Sequence, residues 1–302
     1  MVARPHRRAA SAAPGLTRLA WVCAAAVLIV MAATPAARAG DFPMVVRDAL
    51  GRDVQIPAPP KRIISLAPSV TEILFALGLD AEIVGVTRAD DYPPDKVQSR
   101  ARVGGVIINL ERVVALQPNL IIGMPSLQQD QLVRLATLRL PVLAVDAASV
   151  DETIAQIRLL GRVTGRGSAG EALAKSLEAR VQVVQPRVRR TVYIEVWYEP
   201  VIAAGGSTLI HDLTRRAGGA NIFGDLRGYP QIPVESVLTR NPQVIFLLYA
   251  GRDQLVTRAG WRAIDAIRSN RVYELPASLV SRPGPRIADG LALVSRLLGA
   301  LR

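Results

Sequence analysis

Two glutamates and a small set of aromatic and arginine side chains are the residues whose types and spacing could do chemistry in this 302-residue chain. Glu111, Val113, Pro118 and Ile121 recur as Glu235, Val237, Pro242 and Ile245, each pair 124 positions apart. Each copy reads as a short helix opened by a glutamate, stopped before a proline that cannot continue it, and followed by a buried apolar strand. A carboxylate at a helix start is favoured by the N-terminal end of the dipole, which is reason enough for either one alone. Two matching units imply two lobes of similar construction, a two-lobed binder presenting a symmetric pair of carboxylates.

The aromatics point to a ligand. Two tryptophans, six tyrosines and four phenylalanines follow residue 39. Tyr92, Trp197, Tyr198 and Tyr229 sit in loops after strands or before helices, where α/β sheets open clefts at their carboxyl ends. Rings there offer flat, rigid surface with a polar tip to a large planar or ring-bearing ligand. The plain alternative is a ring packed over its own lobe, and Trp261, in step with Ile264 and Ile267, is assigned to the core. Arg282 and Arg286 flank Pro283-Gly284-Pro285 beside a helix start, placed to meet carboxylates or amides of a ligand, or to be a solvated or structural pair.

Catalysis has little to stand on. The one histidine after residue 39, His211, lies in a helical stretch from Leu209 to Phe223 and reads as a surface or capping residue. No Gly-x-Ser-x-Gly elbow, cysteine nucleophile, His-x₃-His spacing, dinucleotide fingerprint or Walker lysine accompanies it. The sequence therefore reads as no enzyme, with no cofactor and no metal ligated by side chains. A secreted α/β hydrolase, the alternative of another class, lacks its nucleophile motif.

The N-terminus has the three parts of a secretory signal: basic residues Arg4 to Arg18, an apolar run from Leu19 to Ala33, and the small-residue site Ala37-Arg38-Ala39. Cys23 lies inside the apolar run behind Val22, a poor setting for lipidation. A periplasmic, processed chain beginning at Gly40 is expected, soluble, monomeric and without cysteine, so its own core must hold it. The formal charge is +12; the five arginines and no acids of residues 1–39 leave +7. Export and the lack of a basic run exclude nucleic acid as a partner.

The elements that must position these residues follow from apolar patterning. Residues 45–56 form a hairpin turning near Leu50-Gly51. Ile63 to Leu66, Ile83 to Val86 and Val142 to Val145 are strands, and Pro68-Ser69 opens a helix closed by Gly78. Ser149 with Glu152 and Ser168 with Glu171 have capping-box spacing, the second opening an eighteen-residue helix to about Gln185 that is long enough to link two lobes. Thr191 to Val196 and Val272 to Leu275 are strands, and a last helix follows Pro285. The organisation is a signal peptide over 1–39, an N-terminal α/β lobe over 40–148, a helical connection over 149–188 and a C-terminal α/β lobe over 189–302.

The segments Arg62 to Ile73 (Arg-Ile-Ile-Ser-Leu-Ala-Pro-Ser-Val-Thr-Glu-Ile), Asp91-Tyr-Pro-Pro, Asn109-Leu-Glu111-Arg and Gly218-Gly-Ala-Asn-Ile-Phe strongly resemble the periplasmic binding proteins for cobalamin, haem and ferric siderophores. The likeness runs from about Val45 to the C-terminus and leans to the cobalamin branch at Asp91-Tyr-Pro-Pro and Tyr229-Pro-Gln. It implies an α/β fold of two Rossmann-like lobes joined by a long interdomain helix, and capture of cobalamin or a related corrinoid for the permease of an ABC importer. Haem or a ferric siderophore is the alternative cargo, and haem would call on Tyr92, Tyr198 or His211 as axial ligand. Tyr92, Trp197, Tyr198, Tyr229 and Arg282 are the expected ligand contacts, Glu111 and Glu235 the docking residues. The branch's cleft aromatics fall here on Ala89, Gly105, Met124 and Leu279, so Trp197 and Tyr198 would supply aromatic surface absent elsewhere.

Overall fold

Short runs of β-branched and leucine residues buried on both faces make parallel strands, and two such sheets carry this chain. The computed structural model describes Met1, residues 42–185 and residues 189–300. The expected signal segment and its cleavage site fall outside the described residues. The described residues from 42 onward form one compact unit.

The chain enters through an antiparallel hairpin, β1 (Met44–Arg47) and β2 (Asp53–Ile56), with Met44 opposite Ile56. Its turn is held by Asp48, which accepts from the N–H groups of Leu50 and Arg52 while Gly51 takes φ 74°. The first sheet follows: β3 (Ile63–Ser65), β4 (Ile83–Val86), β5 (Ala101–Arg102), β6 (Leu120–Gly123) and β7 (Val142–Ala144), all parallel, in the order β5-β4-β3-β6-β7. Counted from β3 this is 3-2-1-4-5, the doubly wound order, with its reversal between β3 and β6. Helices α1 (Pro68–Ala76), α2 (Leu110–Ala115) and α3 (Pro125–Thr137) belong to this lobe.

The helical connection is a hairpin. Helix α4 (Val150–Val163) and the sixteen-residue α5 (Gly167–Gln182) pack along each other, with Arg158 reaching both Glu171 and Glu178 at 2.8 Å. They close in at Gly161 and Gly170, where a Cβ on Gly161 would stand 2.9 Å from the Gly170 Cα. At α4 Ser149 caps the helix as expected, accepting from the Glu152 N–H, while the Glu152 carboxylate reaches one residue past the cap to accept from the Ala148 N–H. The capping box expected at Ser168 does not form. Helix α5 starts at Gly167, so Ser168 lies inside it, and Glu171 is taken by Arg158.

The second sheet contains β8 (Arg190–Tyr198), β9 (Val201–Ala203), β10 (Gly219–Asn221), β11 (Val244–Leu247) and β12 (Val272–Glu274). Its parallel order is β10-β8-β11-β12, with β9 antiparallel on β8. Helices α6 (Leu209–Arg216), α7 (Val234–Arg240) and α8 (Ile287–Gly299) complete it. The helix read within Leu209 to Phe223 ends, as its Gly218-Gly219 pair indicates, at Arg216 with Gly218 turning at φ 92°, and the next residues pair as β10.

The repeat seen in the sequence is a repeat in space. Helices α2 and α7 each bury one valine completely, Val113 and Val237, and leave Glu111 and Glu235 exposed in the first turn. Each unit then turns through a positive φ at Gln117 or Asn241 before its proline and strand. In β6 and β11 alternate residues face opposite sides: Leu120, Ile122, Val244 and Phe246 enter one continuous central cluster, while Ile121 and Ile245 enter separate outer ones. That central cluster runs from α1 through α4 and α5 to α6 and α8, so both lobes and their connection share it.

Candidate ligand-binding cleft

The carboxyl ends of the strands of the first sheet open onto a cavity of about 420 Å³ shared with the second lobe. Leu66 leaves β3 and Met124 leaves β6 at its floor, on the two sides of the strand-order reversal where such folds bind ligands. Val106, Leu127 and Asp146 come from the loops and helix start around them, and Tyr229, Thr208 and Arg282 face them from the second lobe.

Most polar groups of this lining are engaged. The buried Gln128 side chain donates to the carbonyls of Leu66 and Gly105 at 2.9 and 3.2 Å, from a kinked position in the first turn of α3. Asp146 accepts from the Ser126 N–H and hydroxyl, and Thr208 donates to the Gly205 carbonyl at 2.8 Å. Tyr229 keeps half its surface open while it lines the cleft. Desolvation there, with the Asp146 charge, pushes that phenol above its ordinary value, so it is a neutral hydroxyl at physiological pH.

Arg282 and Arg286 meet carboxylates, but those of the protein. Arg282 grips Asp91 at 2.5 and 3.2 Å and reaches Glu72 at 3.2 Å; Arg286 makes a two-pronged pair with Glu72 at 2.6 and 2.8 Å. Glu72 on α1 is almost wholly buried, and its two partners belong to the segment after β12, so the cluster bridges the lobes. Hydrogen bonds from Arg282 hold the Asp91 carboxyl below its ordinary value, against the opposing effect of burial.

Of the other expected contacts, Tyr92 lies beneath the Arg286 guanidinium, 4.1 Å from the ring centre, in a shallow pocket beside the cleft rather than in its lining. Trp197 and Tyr198 end β8 and join Tyr249, just past β11, in a cluster with ring centres 5.2 to 6.3 Å apart. Strands β8 and β11 flank the reversal of the second sheet, so this platform occupies in the second lobe the place Leu66 and Met124 hold in the first. Beneath it Glu195, fully buried, accepts from the hydroxyls of Tyr193 and Tyr249 and pairs with Arg258 at 2.7 Å through both oxygens. His211 packs against Asn221, its value lowered chiefly by burial and then by Arg215. Tyr92, Tyr198 and His211, offered as axial ligands to a haem, all lie outside the cleft lining. Trp261 is fully buried, as expected.

The sequence reading passed over Glu72, Asp91, Gln128, Asp146 and Tyr249. Glu72 and Asp91 carried a signal, since both lie within the segments that resemble the family. Gln128 carried none, because its role depends on a local break in a helix.

The chain belongs to the periplasmic binding protein family, which matches residues 63–279. It is 32% identical to an uncharacterised ABC transporter substrate-binding lipoprotein, YvrC, of Bacillus subtilis, over 83% of each chain. The crystal structure of a periplasmic vitamin B12 binding protein of Vibrio cholerae aligns with a TM-score of 0.67, with 30% identity over 80% of this chain and 98% of that one. A periplasmic haem-binding protein of Roseiflexus aligns with a TM-score of 0.69 and 26% identity over 80% of this chain and 99% of that one. The family comprises substrate-binding proteins of ABC importers, which work with a transmembrane permease and its ATPase and are not enzymes. Among the described residues no helix is long and apolar enough to cross a membrane, and no group of metal-ligating side chains is gathered.

Proposed function

We propose that this protein captures cobalamin or a related corrinoid between its lobes in the periplasm and delivers it to an ABC importer. The observation that carries the ligand reading is electrostatic. The cleft is lined largely by apolar groups, and its one cation, Arg282, is already satisfied by two carboxylates. A haem brings two propionates, which need unpaired cations or donors in a desolvated site. A corrinoid ring fringed with neutral amides needs neither. Similarity to vitamin B12-binding proteins at 30% identity supports the same reading.

Tyr229 in the cleft and Trp197 with Tyr198 at the second strand-order reversal are the proposed ring-stacking contacts, with Arg282 closing one side. Tyr92 acts at the rim through Arg286. Glu111 and Glu235, exposed on equivalent helices, are the proposed contacts to the permease. Titration with cyanocobalamin and with haemin tests the ligand: cyanocobalamin should saturate the protein and quench tryptophan emission, with haemin binding more weakly. Saturable haemin binding with a sharp Soret shift and no response to cyanocobalamin would overturn it.

A further inference from the structure

We infer that Asp91 is a specificity-determining residue that acts through Arg282, keeping the cleft's cation occupied so that ligands bearing carboxylates are disfavoured. This rests on the reading of the cleft as the ligand site. Arg282 lines the cavity, whereas Asp91 does not; it grips the guanidinium from outside. The cluster holds two acids, Glu72 and Asp91, and two bases, Arg282 and Arg286, so it is neutral as a whole. The four are not equivalent. Glu72 is buried and shared by both arginines, a structural tie. Asp91 is mostly exposed at the rim and bonds only Arg282 among the arginines, through both carboxylate oxygens.

Removing the Asp91 charge therefore leaves Glu72 paired and the lobes tied, and gives the cleft one guanidinium with unfilled donors. A ligand carboxylate reaching that guanidinium would make the charge-assisted, two-pronged bond that Asp91 now occupies. A neutral amide at the same place gains much less, since it loses little by staying in water. Asp91 thus sets the charge preference of the site without touching the ligand.

The test uses two ligands that differ by one charge: cyanocobalamin and its monocarboxylic acids, each with one peripheral amide hydrolysed. The readout is the ratio of their dissociation constants. In the natural protein the acids should bind more weakly than the amide. In Asp91→Asn the ratio should fall by about tenfold or more for at least one acid isomer, the worth of one charge-assisted bond, with cyanocobalamin affinity little changed. Asp91→Glu should restore the natural preference, and adding Arg282→Gln to Asp91→Asn should abolish the gain. If Asp91→Asn does not fold, Asp91→Ser serves for the same comparison. An unchanged ratio for every isomer in the folded variant overturns the role of Asp91. Failure of the corrinoid reading looks different, because the natural protein would then bind no cyanocobalamin. Haemin and its dimethyl ester would replace the pair, with Asp91→Asn expected to favour the diacid.

Discussion

Glu72 and Arg286 stand 214 positions apart in the chain and meet across the two lobes, with the guanidinium pairing to both carboxylate oxygens at 2.6 and 2.8 Å. The acid side chain is 3% exposed and the base 23% exposed, so water does little to replace either partner. Breaking a buried pair from one side strands the other charge, which is costlier than the pair's net worth.

Glu72→Gln should accordingly destabilise the fold by about 3 kcal/mol or more, read as a lower urea midpoint at unchanged slope. A loss below about 1 kcal/mol would place the pair among the weak surface bridges.

Acid sensitivity should trace to Asp212. Burial alone would raise this carboxyl, but the Val150 N–H and the guanidiniums of Arg216 and Arg215 hold it below its ordinary value. A lowered folded-state value contributes stability that is present above the unfolded value, about pH 4, and lost as pH falls through the folded one. Asp212→Asn should therefore be less stable than the natural protein near neutrality, with the gap narrowing steadily on acidification below about pH 4. A gap independent of pH would mean the side chain acts through packing.

Tyr229→Ala should weaken cyanocobalamin binding by about 1–3 kcal/mol, the range for a stacked aromatic anchor. Trp197→Ala asks how far the ligand extends. A similar loss would mean that the ligand reaches the platform of Trp197, Tyr198 and Tyr249, and an unchanged dissociation constant would confine it to the cavity.

Reversing both repeated glutamates, Glu111→Arg with Glu235→Arg, should leave fold and ligand affinity nearly intact, because both side chains are exposed. Charges at a docking rim chiefly govern encounter and orientation. Stimulation of the importer's ATPase in proteoliposomes should be abolished. Natural stimulation by the double variant at low salt would leave the glutamates as helix starts only, worth roughly 0.3–1 kcal/mol each.

Sequence pattern carried far where interactions are local. The strands at Ile63, Ile83 and Val142, the Ser149 cap and the Glu-to-Pro repeat all follow from periodicity and proline chemistry within a dozen residues. The positive-φ turns at Gln117 and Asn241 that join each helix to its proline are seen only in the structure. Strand β10 was hidden, because Gly219-Ala220-Asn221 has no strand-like pattern and pairs only through its backbone with β8. The site was legible as a set of residue types, not as an arrangement. Arg282 was read as a ligand contact or a structural charge, and the partners that make it the latter, Glu72 and Asp91, come from another lobe, where no short-range pattern couples positions so distant. Tyr249 was missed for the same reason: its neighbours Trp197 and Tyr198 arrive from a different strand.

The central cluster of apolar side chains passes without interruption from one sheet to the other. Neither half can melt without baring the inner face of its neighbour, so the gap between them resembles a fissure in one stone more than the space between two jaws. Parting the halves would pull packed apolar side chains away from one another, so the shared interior resists any widening of that fissure.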